Sequence, residues 1–128
     1  MESTKFIEPI LSYDIHVYYD ETKPDQVQSA KQLYDRFVST FMNQQEKKLP
    51  TTRIHKMVGK IGPHPIAMFE IDFKTPEEFS ILVPWMQLNH GIHSVLIHPR
   101  LGKELLEHTQ YALWLGDKLP LDTSRFTS

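Results

Sequence analysis

The chain has no cysteine. That absence excludes a disulfide framework, thiolate zinc sites, iron–sulfur clusters and a cysteine nucleophile. It also lacks any surplus of positive charge: 14 basic against 16 acidic residues leave a net charge of -2 with histidine neutral. Nothing here is built to neutralise a phosphate backbone, so nucleic acid is not an expected partner. No apolar run approaches the roughly 18 residues a membrane helix needs, so no membrane partner is expected either. The opening Met1–Phe6 carries no basic region followed by an apolar stretch, and the expectation is a cytoplasmic protein without a signal peptide. Fixed-period repeats, low-complexity tracts and long Pro/Gly/Ser linkers are also missing. With 128 residues, the chain reads as one domain over 1–128, its tail from about residue 117 loosely held. What is abundant is histidine: seven of them, about one residue in eighteen.

Residues 12–19 alternate and are rich in β-formers, which predicts a first strand. The turn chemistry of residues 20–25 leads into an amphipathic helix over 25–43, opened by Pro24 or Asp25 and carrying Val27, Ala30, Leu33, Phe37 and Phe41 at helical spacing. A second strand is expected over 52–58 and, after the turn at 59–63, a third over 64–73 with Pro65 near its start. Thr75 caps a second helix with Pro76 in its first turn, and Pro84 predicts a kink or two short pieces. A fourth strand over 93–98, a short helix over about 101–109 and the apolar stretch Leu113–Leu115 complete the chain. Strand, helix, strand, strand, helix, strand is satisfied most simply by an α+β ferredoxin-like sandwich. In it a four-stranded antiparallel sheet, ordered four, one, three, two, carries both helices on one face.

Alternation then sorts side chains. Tyr13, Ile15, Val17 and Tyr19 share one face of the first strand with Ala67, Phe69, Ile71 and Phe73 of the third, and meet the helices. The opposite face gathers His16, Tyr18, His64, Glu70 and His98 from three adjacent strands, with Arg53, His55 and Met57 at the edge. Mixed there with Ile66, Met68 and Leu96, these residues describe a pocket, covered by a second subunit or by the C-terminal segment. Three histidines, or two and a carboxylate, suit Fe(II), Zn(II) or a similar ion, and histidine is the natural base near neutral pH. Register decides the outcome: His64 opens its strand and His98 closes its own, and at about 3.3 Å per residue a small slip separates them beyond one ion. His16 can join either. For His55, His90 and His93 a surface position or a backbone carbonyl partner suffices. Glu104 and His108 read as a solvated i,i+4 pair.

The stretches Tyr13–Tyr19, Gly62–Glu70, Ser94–Pro99 and Glu107–Thr109 with Trp114–Gly116 resemble the DOPA 4,5-dioxygenase family of small ring-cleaving enzymes. The resemblance implies an extradiol dioxygenase that opens a catechol such as DOPA with non-haem Fe(II) and O2, as a ferredoxin-like homodimer. Carried over by position, it implies catalytic roles for His16, His64, His98 and His108. The metal would be held by His16, His64 and His98, with Glu70 as ligand or supporting carboxylate. The competing expectation is a metal-free small-molecule binder or enzyme of the dimeric α/β-barrel type using the same sheet face.

Overall fold

In the computed structural model, residues 5–43 and 49–126 are described. The strands are β1 (Ser12–Tyr19), β2 (Arg53–Ile54), β3 (Ala67–Phe73), β4 (Val95–Arg100) and β5 (Leu113–Leu115). The helices are α1 (Pro24–Phe37), α2 (Pro76–Asn89) and α3 (Glu104–Glu107). All strand pairings are antiparallel, in the order β2-β3-β1-β4-β5. The expected order of the first four is therefore present, but the sheet has five strands, not four. Leu113–Leu115 pairs with β4, Leu96 facing Trp114, and so extends the sheet beyond the edge that alternation predicted.

The core lies between α1, α2 and one sheet face. Ile15, Val17, Phe69, Ile71, Phe73, Val95 and Ile97 point into it against Leu33, Phe37, Leu82 and Met86, all essentially without solvent contact. Fully burying each such side chain contributes roughly 1.5–3 kcal/mol. Among the described residues, no helix is long and apolar enough to cross a membrane.

Four local expectations are corrected. Strand two shrinks to two residues. Beyond Ile54 the ladder survives only as His55 N–H donating to Glu70 O (2.9 Å) and the Val58–Met68 bridge, and Met57 turns toward the core side instead of the histidine face. Strand three starts at Ala67, so His64 belongs to a loop. Helix α1 ends at Phe37 and continues to Met42 as a π-helical turn, closed by Asn43 N–H on Val38 O at 3.2 Å. Helix α2 runs unbroken through Pro84, because Leu82, Val83 and Met86 around it are packed into the core. Its start is as expected. Thr75 Oγ1 accepts from Glu78 N–H (3.2 Å) and donates to the Glu78 carboxylate (2.6 Å), which also accepts from Thr51 N–H and the Thr52 hydroxyl, each at 2.8 Å.

Candidate metal centre

On the other sheet face, β1 presents Asp14, His16 and Tyr18. The register sets His16 opposite Glu70 of β3 and Leu96 of β4, and Asp14 opposite His98 and Asp72. His98 is thus a diagonal neighbour of His16, and the two Nε2 atoms lie 3.1 Å apart. His108 arrives from the C-terminal end of α3, its ring centroid 4.2 Å from that of His98. Glu107, one residue earlier, holds α3 in place: its buried carboxylate accepts from Leu101 N–H (2.8 Å) and Lys103 N–H (3.0 Å), across a turn whose Gly102 has φ 84°. His108 makes no pair with the Glu104 carboxylate of the kind its spacing predicts. Its Nδ1 donates instead to the Glu104 carbonyl at 2.7 Å.

Neighbouring acceptors set the tautomers. A ring nitrogen that donates to a carbonyl carries the proton, and the other nitrogen of a neutral imidazole keeps the lone pair. His98 Nδ1 donates to Pro99 O (3.1 Å) and His108 Nδ1 to Glu104 O, so both present a lone pair at Nε2. His16 Nδ1 faces the Met68 sulfur at 3.4 Å and Glu70 Oε1 at 3.7 Å, both acceptors. Its Nε2 then also offers a lone pair. Two lone pairs at 3.1 Å repel unless a proton or a cation lies between them. One ligand atom from each of His16, His98 and His108 falls within 4.8 Å of the others, as do ligand atoms of Asp14, His16 and Glu70. This all-nitrogen donor set, flanked by carboxylates and oriented by backbone carbonyls, fits a divalent transition metal.

His64 joins the cluster differently. Because it sits in the loop before β3, the strand ladder does not fix its position, and its ring folds back to 4.4 Å from that of His16. It is nevertheless in none of the groups of three described residues whose ligand atoms lie within 4.8 Å of one another, so His64 and His98 are not brought together around one ion as His16, His98 and His108 are. His64 Nδ1 is engaged by the Tyr18 hydroxyl at 2.6 Å. Burial pushes the Tyr18 hydroxyl's pKa up, so it stays protonated and shares one proton-bearing hydrogen bond with His64 Nδ1, whose direction follows the His64 tautomer.

Burial keeps the rings of His16, His64 and His98 neutral at neutral pH. Burial, reinforced by the other histidines, holds His16 well below the ordinary histidine range, and burial with a nearby His108 lowers His64 and His98 each to about 4. Glu70 is pushed up to about 7, first by burial and then by the Asp14 charge. Asp14, buried, is raised by desolvation and drawn back by Arg100, whose Nη1 donates to it at 3.1 Å. These groups line a cavity of about 190 Å³, roofed by Phe126, which stacks on His108 at 4.7 Å.

The face is covered as the mixed polarity required. Leu119 and Leu121 pack on Tyr18, Met68, Leu96 and Trp114, and Asp122 N–H donates to Pro63 O at 2.8 Å. The C-terminal segment therefore covers this face within the same chain. His55 bonds Asp72 (2.5 Å), His90 donates to His93 O (2.9 Å), and His93 is buried, tying Tyr18 O and Ser29 together at 2.8 Å each. Alternation puts Asp14 on the face of His16, and Glu107 falls in the motif with His108, but Arg100 and Phe126 were not singled out from sequence; alternation two residues from His98 could have found Arg100, whereas Phe126 has no local signal.

The chain is similar to several known proteins. A family model described as the Dopa 4,5-dioxygenase family matches residues 13–125. A protein of Botryotinia fuckeliana named only as an uncharacterized 21.2 kDa protein is 37% identical over 94% of this chain and 68% of its own length. A DOPA 4,5-dioxygenase of Amanita muscaria is 26% identical over 88% of this chain, which spans 48% of that relative. A candidate dioxygenase of Nostoc punctiforme PCC 73102, known from its crystal structure, superposes with a TM-score of 0.69 at 30% identity, covering 89% of both chains.

Proposed function

The chain belongs to the Dopa 4,5-dioxygenase family, and from that premise we propose that it is an extradiol dioxygenase that opens a catechol ring with Fe(II) and O2. The observation that carries the proposal is the convergence of His16, His98 and His108, with Nδ1 of the last two pinned to carbonyls and the Nε2 atoms of His16 and His98 3.1 Å apart. These three would hold the iron. When bound, the iron supplies open coordination positions for catecholate and O2 and the electrons that activate the latter.

The remaining groups act around it. Asp14 and Glu70 would balance its charge from either side of His16, with Glu70 Oε1 3.7 Å from His16 Nδ1. His64 is better suited to proton handling than to ligation, since its ring nitrogens do not converge with those of His16, His98 and His108. Its ring can exchange a proton with a substrate oxygen in the cavity. The low-pKa rings of His16 and His98 remain uncharged down to mildly acidic pH, so ligation by them meets little proton competition. The Phe126 roof and the packed tail limit water around the reacting ring. The proposal keeps a cytoplasmic homodimer. Exposed Ile7, Leu11 and Leu113 supply apolar surface for it, and light scattering on purified protein reads the mass.

The test is iron-loaded protein with a catechol such as DOPA or caffeate under air. A yellow semialdehyde is expected from wild type and is lost in His16→Ala. Retention of catechol affinity after complete chelation, with no ring opening across a broad catechol panel, would favour the metal-free binder instead.

A further inference from the structure

Arg100 ends β4 at the rim of the histidine cavity and is the only lysine or arginine among the described residues lining it. Two buried carboxylates face its guanidinium from different elements, Asp14 from β1 and Glu107 from α3. Nη1 donates to Asp14 Oδ2 at 3.1 Å, whereas Nε stops 3.9 Å from Glu107 Oε1, too far for a hydrogen bond. The two carboxylates are therefore unequally served. Glu107 Oε2 accepts from Leu101 N–H and Lys103 N–H, but Oε1 is buried and accepts from no group, one of two such side-chain atoms among the described residues. An interior carboxylate oxygen without a donor is costly, and here a donor stands just out of reach.

The histidine cluster explains why Arg100 stays on Asp14. Asp14 Oδ2 lies 3.7 Å from His98 Nε2, which carries a lone pair and faces His16 Nε2 at 3.1 Å. Burial denies the Asp14 charge most of its hydration. With His98 neutral, the guanidinium is the only cation in ion-pair contact with Asp14 among the described residues. A divalent ion among the histidine nitrogens would alter that balance by presenting positive charge to Asp14 from the histidine side. Of the three groups, Arg100 is the one able to respond. Half its side chain is exposed, whereas Asp14 is held by pairing on both sides of β1, and Glu107 by the two amides on Oε2.

We propose that Arg100 is a positioning residue with two seats: Asp14 when the histidine cluster is without metal, and Glu107 Oε1 when a divalent ion occupies the cluster. The transfer leaves the Asp14 carboxylate to the ion and gives the orphaned Glu107 oxygen its donor. It also fastens the turn that carries His108, because the carboxylate that receives Arg100 is the one bonded to Leu101 and Lys103. The proposal rests on the reading of His16, His98 and His108 as metal ligands; the competition of two carboxylates for one guanidinium is present without it. A purely structural Arg100 predicts that its removal loosens the site and weakens metal binding. Competition predicts the reverse sign, since Arg100 and the ion contend for the same carboxylate.

The experiment titrates Zn(II), which is diamagnetic, into the metal-free 15N-labelled full chain. The Arg100 Nε–H resonance, identified by its loss in Arg100→Lys, is expected to move downfield with saturation as Nε takes up a carboxylate acceptor. In Glu107→Gln it is expected to stay in place, because the amide oxygen is claimed by Leu101 and Lys103 N–H and the amide NH2 faces Arg100. Affinity is read in parallel by competition with a chromophoric chelator. Arg100→Met is expected to bind Zn(II) about tenfold more tightly than wild type, and Asp14→Asn about tenfold more weakly. In the Asp14→Asn background the gain from Arg100→Met is expected to vanish. A stationary Arg100 resonance at saturation, unchanged or weaker binding in Arg100→Met, or a gain that persists without the Asp14 charge overturns the proposal alone. Zn(II) binding that is absent, or unchanged in His98→Ala, overturns the metal reading and this proposal with it.

Discussion

The two faces of the sheet are buried almost equally and made of different chemistry. Ile97, without solvent contact, points to the helices, and its neighbour His98, 1% exposed, points the other way. Ile15 and His16, and Phe69 and Glu70, divide in the same manner. On the helix face, burial itself drives folding. On the histidine face, burial removes imidazoles and carboxylates from water, which lowers His64 and His98 to about 4 and raises Glu70 to about 7. One face holds the protein together; the other, a single residue out of phase, stores reactive groups at a cost in stability that the first face offsets.

Substitutions on the two faces should therefore fail in opposite ways. The largest effect is expected from His98→Ala: ring-cleaving turnover falls by roughly a thousandfold or more, and metal no longer raises the melting temperature, while the metal-free protein folds normally. Phe69→Ala, on the core face, should instead lose about 3–5 kcal/mol in denaturant titrations, with turnover per folded molecule nearly unchanged.

Acid should separate the faces without mutation. The folded-state values of about 4 for His64 and His98 lie below the ordinary 6.5, so the unfolded chain takes up protons first as pH falls. Their stabilising contribution is complete above pH 6.5 and is lost downward toward 4, at about 3 kcal/mol per ring in the limit. Glu70, raised to about 7 from 4.5, acts in the opposite sense: its contribution is present below 4.5 and is lost as pH rises through 7. Melting temperatures of metal-free protein should drop between pH 6.5 and 4, and Glu70→Gln should steepen that drop by removing the opposing slope.

Smaller effects complete the comparison. Tyr18→Phe frees His64 Nδ1 and should reduce kcat by about tenfold with little change in melting temperature. Thr75→Ala removes the α2 cap and should cost about 1 kcal/mol with no effect on turnover.

Much of this division was legible in the chain. Strand one over 12–19, the order of the first four strands, the Thr75 cap and the shared face of His16, Glu70 and His98 all follow from period-two alternation and local turn chemistry, which a short sequence window contains. What escaped depends on contacts between distant segments. β5 exists because Leu113–Leu115 finds β4, and three residues carry too little periodicity to announce it. Pro84 stays inside a helix because the core holds its neighbours. His64 reaches His16 from a loop, and His108 turns to a carbonyl instead of its i,i+4 carboxylate. Phe126 lies far along the chain from the histidines it roofs.

The brevity of the outer strands has a further consequence. An edge strand exposes unpaired N–H and C=O groups that can template association with another chain. Here one edge is the two-residue β2, bearing the exposed Arg53, and the other is the three-residue β5, ended by Gly116 at φ 70°. The long strands β1, β3 and β4 lie inside, each paired on both sides. A sheet that keeps its longest ladders internal and its rims too short to propagate should resist fibrillar aggregation even when the tail over the histidine face is displaced.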